Sequence, residues 1–123
     1  MIAEDASLLR EGLALLLRAE GLDVVATAGD PDEFLAAVDE HVPDVAIVDV
    51  RMPPTHTDEG IVAAVTARRR QPGLAVLVLS AYVEQAFATD LLASGGARLG
   101  YLLKERVGRV AEFMDALARV AEG

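Results

Sequence analysis

Residues 44–50 read DVAIVDV and residues 74–80 read LAVLVLS. Apolar and polar residues do not alternate in either run, which is the pattern of a strand covered by helices on both faces and hence of a parallel sheet. A polar side chain follows the apolar stretch of each, Asp49 after 45–48 and Ser80 after 74–79. Working outward, short apolar runs recur at 1–4, 22–28 and 98–102, with longer stretches of helical period between them. The first predicted helix runs from Ser7 to Glu20, sets Leu9, Leu13, Leu16 and Leu17 on one face, and stops at Gly21. The second opens with Asp30 as N-cap, Pro31 in the first helical position and Asp32 and Glu33 in the first turn, and reaches about His41. The third spans Asp58 to Gln71, the fourth Val83 to Ser94, and the fifth Val107 to Glu122, where Val110, Phe113, Met114, Leu117 and Val120/Ala121 repeat at amphipathic spacing. Five βα units joined by right-handed crossovers predict an α/β fold: a five-stranded parallel sheet, order 2-1-3-4-5, between two helical layers. The first strand is short, because only Met1, Ile2 and Ala3 precede an acidic pair.

At 123 residues and 53% hydrophobic composition the chain is one domain's worth, 1–123, with a single sizeable core. It contains no cysteine, which excludes disulfides, thiolate metal sites and cysteine nucleophiles and suits a reducing cytosol. LALLL at 13–17 and LAVLVL at 74–79 are far shorter than a membrane span, and no signal peptide precedes the first strand, so the expected location is cytoplasmic. A formal charge of −9 disfavours a nucleic-acid backbone as a partner of these residues. The basic cluster Arg68-Arg69-Arg70, beside Pro72-Gly73, reads as a solvated last helical turn that complements the helix dipole. Against ten arginines stands a single lysine, Lys104.

Ligands of an open parallel sheet bind outside the C-terminal strand ends, where the winding reverses between strands 1 and 3. Those ends carry Glu4-Asp5 on the first strand, Asp49 on the third and Ser80 on the fourth, with Lys104 within two residues of the fifth. Each alone reads as a loop residue, cap or solvated charge. Their coincidence on one rim overturns that reading. Three carboxylates held close repel, and a hard divalent cation with oxygen ligands, magnesium for preference, relieves them. A phosphoryl group fits the remaining coordination, a carboxylate can attack it, and an ammonium and a hydroxyl can steady its equatorial oxygens. Tyr101 reads as a rim aromatic and His56 as a solvated loop residue.

The stretches IAED, VDVRMPP, VLSAY and GYLLKERV, in this order over essentially the whole chain, resemble the flavodoxin-like receiver domain of bacterial two-component response regulators, most of all those of NarL/LuxR-type transcriptional regulators. The resemblance implies a phosphorylation-dependent signalling switch and not a turnover enzyme. It makes Asp49 the phosphoacceptor and a metal ligand, Asp5 a direct and Glu4 a water-mediated ligand of Mg2+, and the Arg51 main-chain carbonyl a further ligand. It makes Ser80 the switch hydroxyl, Tyr101 the switch aromatic and Lys104 the phosphoryl-binding lysine. A sensor histidine kinase is the implied partner, with homodimerisation on phosphorylation and a DNA-binding output domain beyond Gly123. The responding surface would combine the fourth predicted helix, the fifth strand and the fifth predicted helix. Glu105 follows the lysine where many receivers carry proline, and the loop from Arg51 to Glu59 is longer than in compact receivers.

Two other classes fit the residues less well. A flavodoxin-like electron carrier must receive a phosphate in its first loop, where Glu4-Asp5 would repel it. An aspartate-nucleophile phosphatase normally has a second acid two residues after the nucleophile, and that position is Arg51.

Overall fold

The computed structural model describes residues 1–53, 59–80 and 98–122. The fourth predicted helix, His56 and the middle of the loop after Asp49 lie outside the described residues. The elements are β1 (Ile2–Ala3), α1 (Ser7–Ala19), β2 (Thr27–Ala28), α2 (Pro31–His41), β3 (Val45–Asp49), α3 (Glu59–Arg70), β4 (Ala75–Ser80), β5 (Leu99–Leu103), a 3-10 turn (Lys104–Gly108) and α4 (Val110–Glu122). All strand pairs are parallel and the order is β2-β1-β3-β4-β5, as predicted.

The buried runs divide their side chains strictly between the two faces. Ile2, Ile47, Leu77 and Leu79 point to one side, where α1 contributes Leu13 and Leu17 and α4 contributes Phe113, Leu117 and Val120. Ala3, Val48, Val76 and Val78 point to the other, against Phe34 and Val38 of α2 and Ile61, Ala64 and Ala67 of α3. This period of two within unbroken apolar runs is what burial on both faces requires. Phe34 and Phe113, one per layer, are fully buried, and truncating either to alanine would cost about 3–5 kcal/mol. The apolar stripe of α4 is therefore chiefly a core face, although Val110 at its start remains exposed.

The helix signals act as chemistry dictates. The Asp30 side chain accepts from the Glu33 N–H at 2.8 Å, while Glu33 Oε1 accepts from the Gly29 N–H at 3.1 Å, a reciprocal cap for α2. Gly21 takes φ 86 and ends α1.

Two boundaries and one side-chain environment differ from the sequence reading. The run at 22–28 pairs as strand only at Thr27–Ala28, because β1 offers two residues for it to pair with. Lys104 follows β5 directly and opens a 3-10 turn, so α4 starts at Val110 and not at Val107. Arg68 is no solvated charge: it is 7% exposed and donates to the Arg98 carbonyl at 3.1 Å, whereas Arg70 pairs with Asp39 at 2.9 Å across α2 and α3. Helical period alone cannot distinguish a last-turn arginine facing water from one facing the next strand.

Candidate functional site

Register brings the polar groups to one rim. Ala3 pairs with Val48, so Glu4 lies beside Asp49; Asp49 pairs with Leu79, so Ser80 follows on the next strand; Ser80 pairs with Leu103, immediately before Lys104. Carboxylate oxygens of Glu4, Asp5 and Asp49 lie within 4.8 Å of one another. Lys104 Nζ stands 3.1 Å from Asp49 Oδ1 and 3.4 Å from Glu4 Oε2, so one ammonium bridges two of the three acids. Glu4 and Asp49 are 1% and 3% exposed. Asp5 and Arg51 are half-buried, Ser80 is buried, and Tyr101 is half-buried on β5, packed against the core beside its register partner Val78.

The backbone around the acids is held firmly. The Glu4 N–H donates to the Ala28 carbonyl at 2.9 Å, and Glu4 Oε1 accepts from the Ala6 N–H at 3.2 Å. On α3 the Gly60 N–H donates to the Val50 carbonyl at 2.8 Å, and a Cβ at Gly60 would collide with the Asp49 carbonyl oxygen. Only a residue without a side chain lets α3 approach this closely to the backbone carrying Asp49. Gly60 was not singled out from the sequence. Its signal was a glycine near the start of the helix that follows an acid-tipped strand, the place where close helix–strand packing is needed.

Burial and mutual repulsion shift the protonation of the cluster. Burial first, then the Asp49 charge, pushes the Glu4 carboxyl up to about 7, against the pull of Lys104 and the Ala6 N–H. Burial also raises Asp49, opposed by the hydrogen bond and charge of Lys104, then by Glu4 and the Arg51 N–H. Burial would lower Lys104, but its hydrogen bond to Asp49, the Asp49 charge and Glu4 outweigh it and hold the ammonium above its ordinary value. Glu4 Oε2 is buried, with the Lys104 ammonium 3.4 Å away as its charged neighbour. An all-oxygen donor set of three acids crowded within 4.8 Å fits a hard divalent ion and offers nothing to a soft one.

A parallel sheet in this order, with an acid-lined crevice where its winding reverses, is the architecture of a doubly wound α/β domain that takes its ligand at the C-terminal strand edge. Residues 1–117 match the model of the response regulator receiver domain, and the chain belongs to that family, whose members act as phosphorylation-dependent signalling switches. It is 35% identical over 105 residues to the oxygen regulatory protein NreC of Staphylococcus haemolyticus, covering 85% of this chain and 46% of NreC. It is 33% identical over 124 residues to the transcriptional regulatory protein DegU of Brevibacillus brevis, covering 100% of this chain and 50% of DegU. The chain thus spans about half the length of these curated relatives. Among solved structures, the signal receiver domain of the response regulator named NarL from Mycobacterium tuberculosis superposes with a TM-score of 0.77 at 34% identity, covering 99% of this chain and 94% of that one. No helix among the described residues is long and apolar enough to cross a membrane.

Proposed function

We propose that Asp49 accepts a phosphoryl group from a phosphohistidine on a partner kinase and that this modification switches the domain. The observation that carries the assignment is the contact of Lys104 Nζ with Asp49 Oδ1 and Glu4 Oε2 at 3.1 and 3.4 Å, inside a cluster of three carboxylates. An Asp49 oxygen forms the new bond to phosphorus while the bond from phosphorus to the imidazole nitrogen breaks, and the departing nitrogen keeps the electron pair. The residues to hold Mg2+ are Asp5 and Asp49 directly, Glu4 through water and Arg51 through its main-chain carbonyl; the ion would neutralise charge on the phosphoryl oxygens. Lys104 supplies a second positive charge. Before transfer it pairs with Asp49 and lowers the cost of burying that carboxylate; afterwards the same ammonium reaches a phosphoryl oxygen.

Ser80, at the tip of β4, is the hydroxyl for a further oxygen, and Tyr101 the side chain that repacks as Ser80 moves. Nearly two added negative charges bias the surface of β5 and α4. The domain then hydrolyses its own phosphoryl group. Residues 1–123 form the receiver unit; the complete protein adds a DNA-binding output domain and controls transcription in the cytoplasm, with dimerisation favoured by phosphorylation.

The test treats the chain with acetyl phosphate and Mg2+ and follows intact mass. One added phosphoryl group is expected, none for Asp49→Asn and none with chelator. Labelling of Asp49→Asn at the wild-type rate would refute the assignment.

A further inference from the structure

Arg10 lies on α1, and its Nη1 donates to the Glu4 main-chain carbonyl at 2.9 Å, six residues back along the chain. Helical side chains lean toward the N-terminus, which makes that reach natural. The carbonyl belongs to the peptide plane that joins Glu4 to Asp5. Because the peptide is planar, holding its oxygen restricts both the torsion leaving Glu4 and the torsion entering Asp5, and so the direction of the Asp5 side chain. The bonds to Ala28 and Ala6 hold Glu4 itself, its N–H and its carboxylate. Arg10 supplies the hold on the plane between the two acids.

The guanidinium is also seated. A Cβ at Gly29 would lie 3.1 Å from Arg10 Nη1 and 3.4 Å from Glu33 Oε1, so the glycine leaves room for the arginine head against the connection between β2 and α2. That connection is itself pinned by the reciprocal cap of Asp30 and Glu33.

We propose that Arg10 is a positioning residue for the metal site: it fixes the plane between Glu4 and Asp5 so that the Asp5 carboxylate faces the cation shared with Asp49. The inference rests on the acidic cluster being a Mg2+ site. Its sign separates it from a plain charge effect. A positive group near the site repels a dication, so removing Arg10 would tighten Mg2+ binding if charge were its contribution. Loss of positioning weakens binding instead, because the ligand must be ordered at the moment of coordination.

The experiment titrates Mg2+ into the chain and follows the amide signals of residues 4–7 and 49–51. Alongside, the rate of phosphoryl uptake from acetyl phosphate is measured at saturating Mg2+. Arg10→Met is expected to raise the half-saturating Mg2+ concentration about tenfold, the low end for groups that orient a metal ligand. Arg10→Lys, which keeps one donor, recovers to within about threefold of wild type. Gly29→Ala crowds the guanidinium and weakens binding about twofold to threefold in the wild-type background, but adds nothing to Arg10→Met, as two changes acting through one contact require. The uptake rate of Arg10→Met at saturating Mg2+ equals that of wild type.

Unchanged or tighter Mg2+ binding by Arg10→Met, a rate deficit that persists at saturation, or an additive Gly29→Ala effect overturns the proposal. If Arg10→Met does not fold, Gly29→Ala decides: weaker binding at wild-type thermal stability supports the role, and unchanged binding removes it. A wild-type chain whose signals do not respond to Mg2+ would instead refute the metal site itself.

Discussion

At the C-terminal edge of the sheet, Glu4 and Asp49 are 1% and 3% exposed and share the single ammonium of Lys104. At the N-terminal edge, the buried Arg68 donates to the Arg98 carbonyl, while Arg98 donates at 3.0 Å to the Gly73 carbonyl and at 2.6 Å to the Ala121 carbonyl in the last turn of α4. Both ends bury charge. At the arginine end the charges meet main-chain oxygens of the same chain, and Arg98 meets the negative pole of a helix. At the acid end three carboxylates crowd within 4.8 Å of one another beside the Lys104 ammonium, an arrangement that a dication from solution would relieve. Charge closed within the chain holds the fold together, and charge left open to a ligand does the chemistry.

Breaking the arginine end should therefore damage stability and spare function. Arg98→Ala removes two charge-assisted bonds and is expected to lower unfolding free energy by about 3 kcal/mol in urea titration. The folded fraction should still take up phosphoryl groups within about twofold of the wild-type rate. A mutant of undiminished stability, or one that folds normally but cannot be labelled, would erase the contrast between the two ends.

The acid end should respond in the opposite sense. The Glu4 carboxyl lies at about 7 in the folded chain against an ordinary 4.5. Between those values the folded state binds more protons than the unfolded state, so stability falls as pH rises through this window and levels off above it. Asp49, also raised, adds to the fall. Without metal, the chain is expected to lose on the order of 2 kcal/mol between pH 5 and pH 8. Glu4→Gln should remove most of that loss, and saturating Mg2+ at pH 8 should offset it for the wild type by binding the ionised form. Chemical denaturation across the pH range reads this directly. A metal-free chain that grows more stable from pH 5 to pH 8 would contradict the picture of an unrelieved acid cluster.

The smallest effect sharpens the comparison at the arginine end, where strain is local and unconnected to the rim. Val42 caps α2 in the left-handed region at φ 45, ψ 61, a conformation β-branched residues resist, and it is 63% exposed. Val42→Gly should stabilise the chain by about 1 kcal/mol, seen as a higher melting temperature, with no change in Mg2+ affinity. Val42 lies just before β3 and Asp49 ends it, so a change in Mg2+ affinity would reveal coupling along that strand.

Much of this was legible in one dimension. Unalternating runs at 45–48 and 74–79 announced buried parallel strands because two covered faces leave no polar positions, and Asp30-Pro31 announced α2 because the cap is a local hydrogen bond. The acids and Lys104 could be gathered on one rim from order alone, since parallel strands bring all their C-terminal ends to one edge.

Contacts that depend on distance between elements remained out of reach. Helical period could not show that Arg68 turns inward to the Arg98 carbonyl, that Arg10 reaches back to the plane between Glu4 and Asp5, or that α3 presses so closely on the Asp49 backbone that Gly60 must lack a side chain. Nor could it separate Val107 in a 3-10 turn from the first turn of α4. The sequence by itself determined which residues form strands and helices and which polar groups share an edge, because propensity, capping and burial pattern act over a few residues. The tertiary structure alone decided which of those groups touch and how far their protonation is shifted, because both depend on packing and dielectric set by segments distant in the chain.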